Sequence, residues 1–171
     1  MQINFITFPQ IETENYLLRR LKNEDADAVF QIRSNKQIVK YIDRPLAKSL
    51  DDALQFIAKI NVGILKNDAV YWAICNKTTS KIIGTITLWQ ISEVDKTAEI
   101  GFELLPEYQG LGIMQEVIPK VIEFGFGNLK LVEIIGEVAP DNAKSVALLK
   151  KYGFKLKSEL KNTQLYALTK N

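Results

Sequence analysis

A strand, a glycine-containing loop and the start of a helix follow one another in residues 97–114, which read TAEIGFELLPEYQGLGIM. Apolar and polar side chains alternate at the start of this stretch, which predicts a strand with one apolar and one polar face. Two carboxylates, Glu99 and Glu103, fall together on the polar face. The loop breaks the strand, and a helix is predicted from about Gly112 onward. The fold of the whole chain must therefore contain this strand, loop and helix, and the flanking sequence provides the other elements.

Patterns on either side of this unit predict an α+β domain. Apolar periodicity, capping residues and β-branched runs predict helices over 23–34, 49–65 and 140–152. They also predict strands over 16–21, 70–76, 81–90, 131–138, 154–158 and 164–168. The order of elements predicts an open mixed sheet flanked by helices. No internal repeat or linker interrupts it, so residues 1–171 are predicted to form a single domain.

The predicted helix over 49–65 has a recognisable start and an apolar stripe. Ser49 and Asp52 resemble a capping box with the shorter acid. The apolar residues with helical spacing, expected to face the core, are Leu50, Leu54, Ile57, Ile60 and Ile64. In the following hairpin, Cys75 lies in an apolar run and is predicted to be a small packed strand residue.

Composition and charge exclude several classes of function. Apolar residues make up 47% of the chain and charged residues 25%, as in soluble globular proteins. The net charge of +2 comes from interspersed charges, so neither a nucleic acid nor a membrane is an expected partner. Neither a signal-peptide pattern nor a long apolar run is found, and we expect an unprocessed cytoplasmic protein.

The chain contains no histidine and one cysteine. Nucleophilic devices that need histidine and zinc sites built on it are therefore impossible, and no metal is expected. Any chemistry must use carboxylates, hydroxyls, lysines, backbone amides or water.

The loop with Gly110 and Gly112 precedes a helix N-terminus, where free backbone amides and the helix dipole favour anions. Glycine at both positions lets a diphosphate approach the backbone closely. The loop is not a P-loop, since no Gly-Lys-Ser/Thr follows, and it lacks the third glycine of a dinucleotide fingerprint. An ordinary tight turn is the alternative interpretation of two glycines alone.

Three motifs in order resemble the GNAT superfamily of acetyltransferases. Residues 109–114, QGLGIM, resemble its pyrophosphate motif, Gln/Arg-x-x-Gly-x-Gly/Ala. Residues 142–154, NAKSVALLKKYGF, resemble its Asn-x-x-Ser helix and the Gly-Phe turn that follows. Residues 17–26, LLRRLKNEDA, are similar to the start of the ribosomal-protein N-acetyltransferase branch. The resemblance covers about residues 14–168.

The resemblance implies an αβα-type fold with a mixed, mostly antiparallel, splayed sheet of about seven strands. It implies acetyl-CoA as co-substrate, with its pantetheine arm in the opening of the sheet, near Phe102 and Leu104. Asn142 would contact this arm, although capping of its helix is a compatible role. Leu149, on the same helix face, is also implied to contact the donor. The residues implied in pyrophosphate binding are Gln109, Gly110, Leu111, Gly112, Ile113 and Met114.

The implied reaction is direct attack of an amine on the acetyl thioester in a ternary complex. The acceptor would be a primary amine, either a protein N-terminus, as on a ribosomal protein, or a small molecule. Glu99 is implied as the general base, while a structural or orienting role, with water as the base, is the alternative. Glu103, which a family strand bulge would displace, and Glu137 are weaker candidates.

For the general acid, Leu149 occupies the position where many members carry a tyrosine. Ser145 on the same helix face is the substitute that the branch suggests, and Tyr152 extends that stripe. The alternatives are close packing of the donor for Ser145 and core packing for Tyr152. Without a strong acid, a noncatalytic acyl-CoA-binding or regulatory module is the competing interpretation.

Pro119 lies inside the motif helix, where it removes a hydrogen bond and is expected to kink or divide the helix near Ile118. The acceptor is expected between the first two helices and the sheet. Tyr41, Asp43 and Arg44 are candidates to line that site, and solvated loop residues are the alternative.

Overall fold

The computed structural model describes residues 3–42 and 44–171, which form eight β-strands and five α-helices. The strands are β1 (Ile11–Glu12), β2 (Tyr16–Arg19), β3 (Val70–Asn76), β4 (Ile82–Ser92), β5 (Thr97–Leu104), β6 (Glu133–Val138), β7 (Lys155–Glu159) and β8 (Gln164–Thr169). The helices are α1 (Ala26–Arg33), α2 (Lys36–Val39), α3 (Leu50–Leu65), α4 (Ile113–Gly127) and α5 (Ala143–Lys151). Each predicted helix and strand is present, with ends shifted by a few residues.

The strands form one sheet in the order β1-β2-β3-β4-β5-β6-β8-β7. Neighbouring strands are antiparallel except for β5 and β6, which are parallel. The predicted α+β class with a mixed, mostly antiparallel sheet is therefore confirmed. The strand number is eight because the two-residue strand β1 pairs with β2 at the edge.

Helices cover both faces of the sheet, and strand alternation decides which side chains meet which helix. On one face, Trp72 of β3 packs edge-to-face on Phe124 of α4, with ring centroids 5.4 Å apart. On the other face, Tyr71 packs on Phe56 of α3 at 5.6 Å. By the register between β3, β4 and β5, Glu99 and Glu103 lie on the same face as Tyr71. The two carboxylates thus point to the side of α1 and α3.

The buried stripe of α3 differs from the predicted one. Leu50 and Leu54 are 46% and 38% exposed, whereas Ala53, Ile57 and Ile64 are fully buried. The prediction was right for Ile57 and Ile64 and wrong for Leu50 and Leu54, because apolar residues occupy most of the circumference of this helix. Which side of α3 faces the core is then set by its packing on α1 and the sheet, and residues distant in sequence determine that packing.

Local predictions from side-chain chemistry were more successful. Ser49 caps α3, its hydroxyl accepting from the amide of Asp52 at 3.3 Å. The Asp52 carboxylate accepts from the amide of Lys48 at 2.8 Å, one residue before the expected partner. Cys75 is buried with a free thiol, as predicted. Among the described residues, no helix has the length and apolarity that a membrane crossing requires.

Candidate active site

The sheet opens between β5 and β6. These strands pair only over Thr97–Glu99 and Glu133–Ile135. Beyond this point β5 remains paired with β4 as far as Leu104, while β6 remains paired with β8 as far as Val138. The edge of β5 beyond Glu99 therefore has no strand partner on the β6 side among the described residues. The predicted splay of the sheet is confirmed, and its open backbone edge can accept an extended ligand.

The loop before α4 has the geometry of an anion site. Gly110 and Gly112 adopt φ angles of 77° and 79°, in the left-handed region that favours glycine. Gly112 is the N-cap of α4, and no side chain there bonds to the first amides of the helix. The side chains of Ile113 and Met114 are 3% and 4% exposed, which fixes the start of the helix on the core. The loop itself is exposed, so these amides are available to an anion.

Gln109 links the loop to the open strand edge. Its side-chain amide donates to the carbonyl of Leu104 at 3.2 Å. Leu111 is 67% exposed, and a donor molecule could cover its side chain. Phe102 and Leu104 lie at the opening, on the face of the sheet that packs on α4. The predicted pantetheine and pyrophosphate residues thus lie along one continuous path, although their contacts with a donor stay predictions.

Glu99 occupies the last pair of β5 and β6 before the strands separate, opposite Ile135. Burial, and secondly the charge of Glu137, raise the pKa of Glu99 to about 7. Glu137 lies on the same face as Glu99, two residues beyond Ile135, and accepts from the hydroxyl of Thr163 at 2.7 Å. A carboxyl group that titrates near neutral pH at the mouth of the opening is suited to exchange a proton with an amine. Its catalytic role remains a prediction.

Glu103 is not displaced by a bulge, contrary to expectation. Pairing of β5 with β4 is regular from Glu99 to Leu104, and the irregularity falls between Trp89 and Ser92 instead. The Glu103 carboxylate forms an ion pair with Nη1 of Arg44 at 2.6 Å. Engagement by Arg44 makes Glu103 a poorer candidate base than Glu99.

On α5, Asn142 caps the helix, its side-chain oxygen accepting from the amide of Ser145 at 3.3 Å. The capping role is thereby confirmed, while contact with a donor stays a prediction. Ser145 is half-buried at the start of α5.

Leu149 is 1% exposed and packs against β6. A Cβ added to Gly136 of β6 would lie only 2.9 Å from Cδ1 of Leu149. The observed contact of Leu149 is therefore with the core, and its contact with a donor stays a prediction.

Helix α4 is continuous from Ile113 to Gly127, so Pro119 does not divide it near Ile118. A proline at 119 cannot donate to the carbonyl four residues earlier, which belongs to Gln115. The hydroxyl of Tyr152 donates to this carbonyl at 3.0 Å. Tyr152 therefore supplies the bond that Pro119 removes, which sequence reasoning missed because the two residues are far apart in the chain.

The face of the sheet toward α1 and α3, where the acceptor is expected, is called the acceptor side, and it contains residues that the sequence pattern did not single out. The guanidinium of Arg33 lies 3.7 Å from the ring centroid of Phe56. The buried hydroxyl of Tyr71 donates to Oγ1 of Thr85 at 3.1 Å. Arg44, a predicted acceptor residue, joins this cluster through Glu103.

Of the other two predicted acceptor residues, Tyr41 is half-buried beside Lys40, whose amine lies 5.1 Å from the ring centroid. Asp43 lies outside the described residues. Among the residues that the structure does describe, no group of three or more potential metal ligands comes together.

Comparison with known proteins identifies the type of domain. Residues 15–155 match the family model described as an acetyltransferase (GNAT) domain. The chain is 33% identical over 154 residues to the uncharacterized N-acetyltransferase YoaA of Bacillus subtilis strain 168, covering 90% of this chain and 87% of that protein.

Solved structures share the fold. The ribosomal-protein-S5-alanine acetyltransferase of Vibrio fischeri superposes with a TM-score of 0.83 at 24% identity, covering 94% of this chain and 96% of that one. The spermidine N-acetyltransferase of Vibrio cholerae, solved in complex with CoA and spermine, superposes with a TM-score of 0.81 at 22% identity. Coverage there is 91% of this chain and 95% of that one.

Proposed function

The chain belongs to the GNAT acetyltransferase family, and on that basis we propose that it transfers the acetyl group of acetyl-CoA directly to a primary amine in a ternary complex. It is an acetyl-CoA-dependent N-acetyltransferase, and residues 1–171 are proposed to act as one domain. The observation that carries the proposal is the position of Glu99, with its pKa of about 7, where β5 and β6 separate.

The chain offers two features that suit the donor. Free amides at the start of α4, from Gly112 to Met114, suit the pyrophosphate. The unpaired edge of β5 near Phe102 and Leu104 suits the pantetheine arm, which would pair with it as a strand does. A backbone amide of this edge would also polarise the thioester carbonyl and stabilise the charge that develops on its oxygen.

Glu99 is proposed to take a proton from the acceptor ammonium, directly or through water. The neutral amine then attacks the thioester carbon, the new C–N bond forms and the C–S bond breaks. The nitrogen loses its second proton, the departing thiolate receives one from a hydroxyl, and the proton lost by the nitrogen restores that hydroxyl. Ser145 is the proposed source of the proton that the thiolate receives. Tyr152 is the weaker candidate because its hydroxyl is already bonded to the carbonyl of Gln115.

The acceptor is proposed to be a primary amine on a protein N-terminus or a small molecule. Structures similar to this chain include both a ribosomal-protein acetyltransferase and a spermidine acetyltransferase.

The first experiment is thermal unfolding with and without acetyl-CoA, followed by measurement of thiol release with a panel of amines and peptides. A donor at about a hundred times its dissociation constant should add about 2.7 kcal/mol of stability. ATP at the same concentration is the control for a general nucleotide site. Stabilisation without thiol release from any amine would favour a noncatalytic acyl-CoA-binding module, and the absence of stabilisation would contradict the donor site.

Gly112→Ala tests the loop within the same assay. Its φ of 79° costs an alanine roughly 1–2 kcal/mol, so either stability falls or the loop rearranges. We expect donor affinity to fall about tenfold or more. Gly127→Ala at the end of α4, where an added Cβ meets nothing within 4 Å, is the matched control and should leave affinity unchanged.

A further inference from the structure

Three buried polar atoms on the acceptor side have no hydrogen-bond partner among the described residues: Nε and Nη2 of Arg44 and Oε2 of Glu103. The two side chains are 18% and 10% exposed, and their ion pair uses only Nη1 and Oε1. Buried polar groups in folded proteins are almost always bonded, so unpaired ones point to a partner that binds there.

The free atoms of Arg44 have a specific shape. Nε and Nη2 form one edge of the guanidinium, and their N–H groups are parallel. This edge matches the two oxygens of a carboxylate or a phosphate, which arginine binds in a bidentate manner. Glu103 holds the opposite part of the group and thereby fixes the orientation of the free edge.

The charge around this edge also favours an anion. Burial, and secondly the charge of Arg44, lower the pKa of Arg33, whose guanidinium stacks on Phe56. In the described part of this cluster, two guanidinium groups face one carboxylate: Glu103 forms an ion pair with Arg44, and its charge also acts on Arg33. An anionic ligand would balance the excess positive charge.

The cluster lies on the face of the sheet that carries Glu99, and away from the start of α4. Helix α4 packs on the opposite face, which carries Leu88 of β4: a Cβ added to Gly125 of α4 would lie 3.4 Å from the Leu88 side chain. Thr85 of β4, which pairs with Glu103, lies on the face opposite to Leu88, and its hydroxyl accepts from the hydroxyl of Tyr71. The free edge of Arg44 is thus on the acceptor side and does not belong to the pyrophosphate site.

Glu99 and Glu103 are four residues apart on a regular strand, which separates them by ~13 Å. The Glu99 end, with Glu137 beside it, is negative and suits an ammonium group. The Arg44 end is positive. The acceptor face therefore has opposite charges at its two ends.

We propose that the acceptor carries an oxyanion, a carboxylate or a phosphate, ~13 Å from the amine that is acetylated, and that the free edge of Arg44 binds it. Arg33 adds charge, and Oε2 of Glu103 accepts from an N–H group of the same acceptor. This inference rests on the proposed function and makes it more specific. It excludes polyamines, whose second end is cationic, as preferred acceptors.

The test compares acceptors of equal chain length: ω-amino acids, α,ω-diamines and plain alkylamines, with aminoalkyl phosphates to distinguish the two oxyanions. We expect kcat/KM for an amino acid or aminoalkyl phosphate of suitable length to exceed that of the diamine at least tenfold. A diamine that equals or exceeds both would overturn the inference while leaving the acetyltransferase proposal intact.

Arg44→Gln should lower kcat/KM for the amino acid and the aminoalkyl phosphate until it is about equal to that for the alkylamine, so that the preference for the oxyanion is lost. Arg20→Gln, at a half-buried arginine that bonds to Asn61, is the matched control and should keep the preference. Because Arg44→Gln removes the ion-pair partner of the buried Glu103 carboxylate, the double variant Arg44→Gln/Glu103→Gln is measured beside it. A preference that survives in both variants would refute the role of Arg44.

A binding measurement separates this inference from the proposed function. Thermal unfolding in the presence of CoA is recorded with each acceptor. The amino acid or phosphate should raise the Tm more than the diamine does, and Arg44→Gln should abolish the difference. If this pattern appears without thiol release, the oxyanion site stands and the proposed function fails.

Discussion

The carboxyl group of Glu99 lies at the last pair of two strands that then separate, half-buried and within reach of the charge of Glu137. A base in this position must be deprotonated to accept a proton from the amine. We expect kcat/KM with a peptide acceptor to rise with pH as a group with a pKa near 7 loses its proton. In Glu99→Gln this rise should be absent, and the rate should be at least tenfold lower. Rates measured from pH 5.5 to 9 decide this, and an unchanged profile would reject Glu99 as the base.

The same carboxyl group should make stability depend on pH. Burial and the charge of Glu137 raise the pKa of Glu99 from 4.5 to about 7, so the folded protein holds this proton more tightly than the unfolded chain does. The stability from this group is fully present below about pH 4.5 and is lost as pH rises through about 7. Relative to the native protein, Glu99→Gln should therefore gain in Tm from pH 5 to pH 8 and then level off. Glu107→Gln, at an exposed residue, is the control and should show no such trend.

Single residues whose role depends on near neighbours could be predicted from the sequence. Ser49 and Asn142 are helix caps because a short polar side chain reaches an amide two or three residues ahead. The pair Arg44–Glu103 could not be predicted, since 59 residues separate its members and only the packing of the loop after α2 on β5 brings them together.

At the scale of elements, α4 and α5 are joined by one hydrogen bond that compensates for a proline. The Gln115 carbonyl, which lacks its helical donor at Pro119, accepts from the Tyr152 hydroxyl. In Pro119→Ala the amide of residue 119 restores the helical bond, so the Tyr152 hydroxyl becomes redundant. Tyr152→Phe should cost about 0.5–1.5 kcal/mol of unfolding free energy in the native background and clearly less in Pro119→Ala.

This double-mutant cycle also separates positioning from catalysis. If Tyr152 protonates the departing thiolate, Tyr152→Phe lowers kcat at least tenfold in both backgrounds. If it only holds α4 against α5, the loss is mainly in KM for the donor and is rescued in Pro119→Ala. Tyr166→Phe, which removes a hydroxyl bonded to Gln164 on β8, is the control for loss of a tyrosine hydroxyl elsewhere.

The existence of elements could be predicted because periodicity is local, whereas their orientation could not. The second half of the predicted α3 stripe is buried, but in the first half Ala53 faces the core and Leu50 and Leu54 do not. Likewise, the Gln115 carbonyl, which has no helical donor at Pro119, accepts from the hydroxyl of Tyr152 at the end of α5, and no property of the α4 sequence itself indicates this bond.

At the scale of the molecule, the sheet behaves as two parts joined over three residue pairs of β5 and β6. Donor binding in the opening should connect the two parts. We expect hydrogen exchange to slow at the amides of 101–104 and 110–115 when CoA is added, because both segments then gain hydrogen-bond partners. Amides of β7, at the far edge, should be unaffected. Equal protection throughout the sheet would contradict a ligand that binds at the opening.

The order of strands could not be predicted from alternation or composition, because pairing between distant segments leaves no local pattern. The splayed sheet was predicted from the resemblance to the GNAT family. The strand register then showed its origin, since β5 and β6 pair over only three residues each. The proposed acceptor region has no sequence motif, and the proposal rests on the cluster of Arg33, Arg44 and Glu103 that only the structure brings together.

Strand β8 follows β7 in the chain but lies between β6 and β7 in the sheet. During synthesis β6 and β7 are therefore made before the strand that joins them, and β6 has only its three pairs with β5 until residues 164–169 exist. One wall of the opening is thus the last part of the sheet that a nascent chain can complete. A growing chain should acquire its core of β2 to β5 first and become able to recognise acetyl-CoA only when β8 has been inserted.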